Sequence, residues 1–165
     1  HPGSWLVDPT VIVCEGSMVT EEEVKAAMAF WYERGYYFKE LLFHEDPNNK
    51  CYDTTPDDHI VIRRATPDVI RNMKEKTLAE THFYINRLTR AVEFATIYMV
   101  KKPVPRVLEH EFGHALGFYH YNKPGHIMHS QNKFSGWDDY GEKNMQRRAV
   151  EDREAKNTQR KSQEK

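Results

Sequence analysis

The stretch His110-Glu111-Phe112-Gly113-His114-Ala115-Leu116-Gly117-Phe118-Tyr119-His120 sets two histidines four residues apart and a third six residues further on. On a helix, residues four apart lie on one face with about 5–6 Å between their Cβ atoms, so His110 and His114 can reach one ion. Zinc takes nitrogen or sulfur ligands at about 2.0–2.3 Å, and a hydrolytic site needs three protein ligands with one position left for water. Three ligands on a straight helix face cannot surround a tetrahedral ion. Gly117 resolves this, because without a Cβ it can adopt positive φ, end the helix, and turn the chain so that His120 approaches from below. Glu111 points about 100° around the helix from His110, which suits a general base acting on a zinc-bound water. A histidine pair at i, i+4 in a chain with nine histidines is by itself more often surface or core than a metal site. Five specified residues at fixed spacing are far rarer by chance. The expected metal ligands are therefore His110, His114 and His120, with Glu111 as the catalytic residue and Gly117 as the helix-ending turn.

Outward from this stretch, proline at 105 is placed to open the helix, since its missing N–H would be unpaired in a first turn. Glu93 to Val100 (EFATIYMV) is the most β-prone run in the chain. Strands are also predicted around Leu78 to Ile85, from His59 to Arg63 with Ile60 and Ile62 on one face, and over Val11 to Cys14. Residues 67–76 read as loop or a short helix, and residues 44–58 as loop. A helix is expected over residues 21–34: Thr20 and Glu23 have the form of a capping box, Val24, Ala27, Met28 and Trp31 make one apolar stripe, and Gly35 can end it. From Asp138 the pattern is helical but increasingly charged. Residues 1–151 are read as one domain and residues 152–165 as a frayed or disordered tail, too polar to offset its ordering entropy.

The 165 residues fit one core, and 39% hydrophobic with 30% charged residues excludes collagenous, wholly disordered and membrane-spanning readings. A formal net charge of −1 gives no field that would gather nucleic acid or anionic lipid. No targeting segment is visible. Cys14 and Cys51 can form one disulfide, but Cys14, in VIVC, also reads as a buried small hydrophobe. Asp53, Asp57 and Asp58 offer oxygen donors of the kind calcium takes, although a solvated acidic loop is the favoured reading.

HEFGHALGFYH resembles the HExxHxxGxxH signature of the metzincin zinc peptidases, and its core HEFGHALG is similar to the matrixin (matrix metalloproteinase) branch. Matrixins carry a methionine turn eight residues after the third histidine, in a segment containing Pro-Gly; here Met128 follows His120 at that spacing, after Pro124-Gly125. The resemblance implies an α+β catalytic domain with a mixed, mostly parallel five-stranded sheet, two long helices, a C-terminal helix and a cleft. It also implies an edge strand above the zinc, at about Leu78 to Ile85, that binds substrate peptide antiparallel by β-augmentation. Element order covers most of residues 5–150, and strong motif identity about 110–128. Asp138-Asp139 looks like the acidic pair opening the matrixin C-terminal helix, although acids favour any helix start. The chain departs from matrixins at Tyr121, where serine is usual, and over His129-Ser130-Gln131-Asn132, where the wall typically reads Tyr-Pro-x-Tyr. Ser130 stands where astacin-like relatives have an assisting tyrosine, and residues 63–77 hold no histidine for a matrixin structural zinc site.

The resulting expectation is a zinc-dependent endopeptidase with a protein or peptide substrate, secreted by family resemblance. Zn2+ is the expected cofactor, with no organic cofactor, no nucleic-acid or membrane partner, and a monomeric state. The alternative is a catalytically weak, zinc-stabilised protein that binds peptide along its edge strand; Glu111 argues against it, because a purely structural site has no use for a base. Zinc hydrolysis of a non-peptide substrate also remains open to the motif.

Overall fold

The computed structural model describes residues 5–45, 51–122 and 126–130. Pro124-Gly125, Gln131-Asn132, Asp138-Asp139, the expected final helix and the tail 152–165 lie outside the described residues. Five strands and three helices follow in the order β1 (Thr10–Cys14), α1 (Glu21–Tyr32), β2 (Glu40–His44), β3 (His59–Arg64), α2 (Pro67–Arg71), β4 (Ala79–Ile85), β5 (Val92–Met99) and α3 (Val107–Ala115). They form an α+β fold on one five-stranded sheet with the order β2-β1-β3-β5-β4. The first four strands in that order run parallel, and β4 runs antiparallel to β5 at the edge.

The central strands are made by β-branched runs whose alternate residues serve two cores. Val11, Val13, Ile60, Ile62, Ala95, Ile97 and Met99 face the helices and join Trp31, Phe112 and Met128 in the main core. Ile12 and Val61 face the opposite side, where Cys14, Cys51 and Tyr52 complete a smaller cluster. Parallel strands covered on both faces read as continuous apolar runs, which is why β1 and β3 stood out in the sequence. α1 carries the expected capping box, with Thr20 Oγ1 accepting from the Glu23 backbone N–H at 3.2 Å and Glu23 Oε1 accepting from the Thr20 N–H at 3.0 Å. Its apolar stripe packs against α3.

Four expectations are corrected. α1 ends at Tyr32 rather than 34, because the last turn tightens, with Arg34 N–H bonding to the Trp31 carbonyl and Gly35 N–H to the Tyr32 carbonyl. α3 starts at Val107, not at proline 105: Arg106 sits at φ 76°, a left-handed conformation that no helix interior accepts. β2 was not foreseen, since ELLFH is short and mostly exposed and lacks the alternation of a half-buried strand. Cys14 is buried as expected but is also bonded to Cys51, with Cα atoms 5.8 Å apart.

That disulfide fixes the cover of the sheet's back face. Arg63, on β3, has its side chain 4% exposed and donates to the carbonyls of Cys51 and Tyr52 at 3.0 and 3.1 Å. Thr55 and Thr96 share a hydroxyl hydrogen bond at 2.5 Å in the same layer. Asp53, Asp57 and Asp58 do not gather as a metal-binding group among the described residues. No helix of the described residues is long and apolar enough to cross a membrane.

The cross-link closes a loop between residues 37 apart in sequence. Chain-entropy reasoning puts its contribution at about 3–4 kcal/mol. Denaturant unfolding with and without reductant is expected to differ by that amount, and coincident curves would contradict it.

Candidate metal centre

α3 lies under β4 and β5 and against α1, so its residues are divided between core and cleft. Leu108, Phe112 and Ala115 enter the core. His110, Glu111 and His114 line a cleft of about 600 Å³ together with His120, His129, Thr81 and the segment leading into β4. The helix ends as Gly117 requires. At φ 95° its N–H bonds to the His114 carbonyl at 2.9 Å, and the Phe118 N–H reaches back to the Gly113 carbonyl at 3.0 Å. This is the Schellman arrangement, which favours glycine because a side chain is strained at positive φ.

The reversal returns His120 to the other two histidines. His114 Nε2 lies 3.1 Å from His110 Nε2 and 3.1 Å from His120 Nε2. Three ligand nitrogens, one from each histidine, fall within 4.8 Å of one another, close enough to bind a metal ion. The tautomers follow from the backbone. His110 Nδ1 stands 2.7 Å from the Ile127 carbonyl and His114 Nδ1 2.7 Å from the Phe118 carbonyl. A carbonyl only accepts, so each Nδ1 carries a proton and each neutral ring presents a lone pair at Nε2. Two such lone pairs at 3.1 Å repel unless a cation lies between them. Imidazole nitrogens held about 2.0–2.1 Å from an ion in a tetrahedron stand roughly 3.3 Å apart, so the donor set can hold a metal ion in kind and in spacing.

Burial moves the acid and the bases in opposite directions, each toward its neutral form. Desolvation, then the neighbouring His110, pull the His114 pKa down to about 4. His110 is lowered chiefly by burial, and His120 by burial followed by the charges of His129 and Lys74. Glu111, only 5% exposed, is pushed up to about 7 by burial, against the hydrogen bond from Thr81 that stabilises its charged form.

Met128 is fully buried in the main core, and its turn supports the site in two places. The Ile127 carbonyl holds His110, and the Met128 carbonyl accepts the Tyr121 N–H at 2.8 Å just beyond His120. Gly113 makes the close packing possible. A Cβ there would lie against Met128 Sδ, 2.7 Å from Trp31 Cζ2 and 3.0 Å from Met128 Cε.

The sequence singled out His110, His114, His120 and Glu111, which line one cleft, Gly117, which ends α3, and Met128, which is buried in the main core. It missed Thr81, Gly113 and Trp31, and the two carbonyls that orient the rings. A backbone carbonyl leaves no sequence signal, but Gly113 stood inside a helical pattern, where glycine is unfavourable and asks for a packing reason. Neither any protein-family model nor any curated protein matches the chain.

Two outcomes are expected. Gly113→Ala overpacks the Trp31 and Met128 contact and should cost about 1–3 kcal/mol in urea unfolding; an unchanged midpoint would contradict the packing. In metal-free protein, His114 takes a proton near pH 6.5 when unfolded but only near pH 4 when folded. At this residue the unfolded chain binds the proton first, so His114 contributes less stability as pH drops from 6.5 toward 4, while the raised Glu111 carboxyl acts in the opposite sense between about 7 and 4.5. Thermal unfolding of chelated wild type set against chelated His114→Asn isolates the histidine: the gap is expected to move in the variant's favour as pH falls across that range, and a gap independent of pH would contradict it.

Proposed function

We propose that the protein is a zinc-dependent endopeptidase of the metzincin kind, closest to the matrixins. The observation that carries this reading is the convergence of three histidine Nε2 atoms and the buried Glu111 carboxylate in one cleft beside an edge strand. His110, His114 and His120 would hold the ion. Zinc supplies acidity to a water, lowering its pKa toward about 7, and polarises a carbonyl. Glu111 takes the proton of the attacking water on its carboxylate and returns it to the leaving amine. Burial favours the protonated carboxyl, which suits a group that must accept a proton and give it back. A purely structural metal site has no use for such a group in its cleft.

A peptide is the substrate this cleft suits best. β4 has no strand on its outer side among the described residues, and it borders the cleft through Ala79, Glu80 and Thr81. An extended chain laid there gains main-chain hydrogen bonds, while side-chain pockets choose the sequence. The Cys14–Cys51 disulfide accords with an oxidising compartment and so with secretion.

Incubation of zinc-loaded protein with a diverse peptide mixture, read by mass spectrometry, tests the proposal. Glu111→Ala is expected to retain metal and lose turnover by at least about a hundredfold. His114→Ala should lose both metal and turnover. Cleavage by Glu111→Ala at the wild-type rate would overturn the assignment of the base. An absence of cuts by the folded, zinc-containing wild type would overturn the peptidase reading.

A further inference from the structure

β4 alternates over its second half, while Ala79, Glu80 and Thr81 are all half-buried. Ala79, Phe83 and Ile85 pack against the main core, while His82 and Tyr84 are exposed on the opposite face. Thr81 occupies the remaining inward position and is the polar member of that row. Its Oγ1 stands 3.1 Å from Glu111 Oε1 and 3.2 Å from the Glu111 carbonyl oxygen. A threonine hydroxyl has one proton to donate, and both acceptors within its reach belong to Glu111. Among the described residues Thr81 is the side chain that hydrogen-bonds this carboxylate.

We infer that Thr81 is a positioning residue that fixes the Glu111 carboxylate against the peptide-binding strand, an inference that rests on the hydrolase reading above. Glutamate has three side-chain torsions, and a base that wanders among rotamers spends little time within reach of the proton it must take. Threonine is suited to hold it, because branching at Cβ stiffens χ1, so the strand itself places the hydroxyl. The bond also ties the edge strand to α3. The strand that would grip an extended peptide is thereby the strand that orients the base, so peptide register and base position share one support.

A threonine that only filled the row would be replaced by valine without loss of kcat, and one bonded only to the Glu111 carbonyl would show no coupling to the Glu111 side chain. Wild type, Thr81→Val and Thr81→Ser are compared on one peptide that the wild type cuts, with zinc content measured for each. Thr81→Val is expected to keep its zinc and its KM within about twofold while kcat falls about tenfold, the loss of one hydrogen bond made to the base. Thr81→Ser should recover most of kcat. A Thr81→Val kcat equal to wild type, or a Thr81→Ser kcat as low as that of Thr81→Val, would overturn the inference and leave the hydrolase reading standing. A readout free of activity comes from urea unfolding of metal-free Thr81→Val, Glu111→Ala and the double variant: non-additive midpoints support the bond, and additive ones overturn it. A wild type that cuts nothing would overturn both the hydrolase reading and the positioning role.

Discussion

The close approach of Trp31 and Met128 to the bare Cα of Gly113 is the contact on which the site depends. It lets α3 settle onto α1 and onto the turn after His120 in the same place. Trp31 stays in register because its indole N–H donates to the Glu109 carbonyl at 2.8 Å, one residue before the first histidine. Trp5 does the same at the other end, donating to the Ala115 carbonyl at 2.8 Å. Each buried indole needs an acceptor, so the hydrogen bonds fix the rotation of the helix as well as its depth. Once α3 is fixed and Met128 is seated, the Ile127 carbonyl arrives at His110 and the Met128 carbonyl at the strand of chain beyond His120.

The His110 and His114 imidazoles are therefore oriented by backbone rather than by acidic side chains. Carbonyl acceptors at Nδ1 fix the tautomer and ring plane without adding charge to a region that already disfavours it. The difference matters beside Glu111. A carboxylate supporting His110 or His114 would compete with Glu111 for the same positive charge and raise its pKa further. With neutral supports, Glu111 answers to its own burial, to the single donor Thr81 and to Glu80 nearby. A cation held among the three Nε2 atoms would favour its ionised form.

The elements legible in the sequence are those whose residues have a single burden. β1, β3 and β5 are runs of β-branched and apolar side chains buried on both faces, and α1 announces itself by Thr20, Glu23 and a stripe ending at Trp31. β2 escaped because an exposed edge strand of five residues owes its existence to pairing with β1, and that pairing is a tertiary fact. The start of α3 shifted by two residues because Arg106 takes a left-handed conformation that nothing in its side chain foretells. Cys14 was legible as a buried residue, but its bond to Cys51 depends on a loop folding over the far side of the sheet. In the site, spacing alone found the histidines, since helix geometry converts i, i+4 directly into a shared face. Thr81 lies 30 residues from Glu111, and only the sheet order brings the two together.

The position of β4 is what makes that order consequential. In a sheet of parallel strands, each strand is separated from the next by a crossover, and both edges of an inner strand are taken. β4 instead doubles back antiparallel on β5, has no partner strand on its other side among the described residues, and lines the cleft with Ala79, Glu80 and Thr81. An edge that long invites uncontrolled pairing, a hazard that proteins blunt with charge or cover. Here the polar side chains of Glu80 and His82 lie 3.6 Å apart on one side of the strand and α3 packs on the other, so β4 is guarded along its faces while its edge is open among the described residues. Among the described residues, that open edge belongs to the strand whose Ala79, Glu80 and Thr81 border the three converging imidazoles and the buried Glu111 carboxylate.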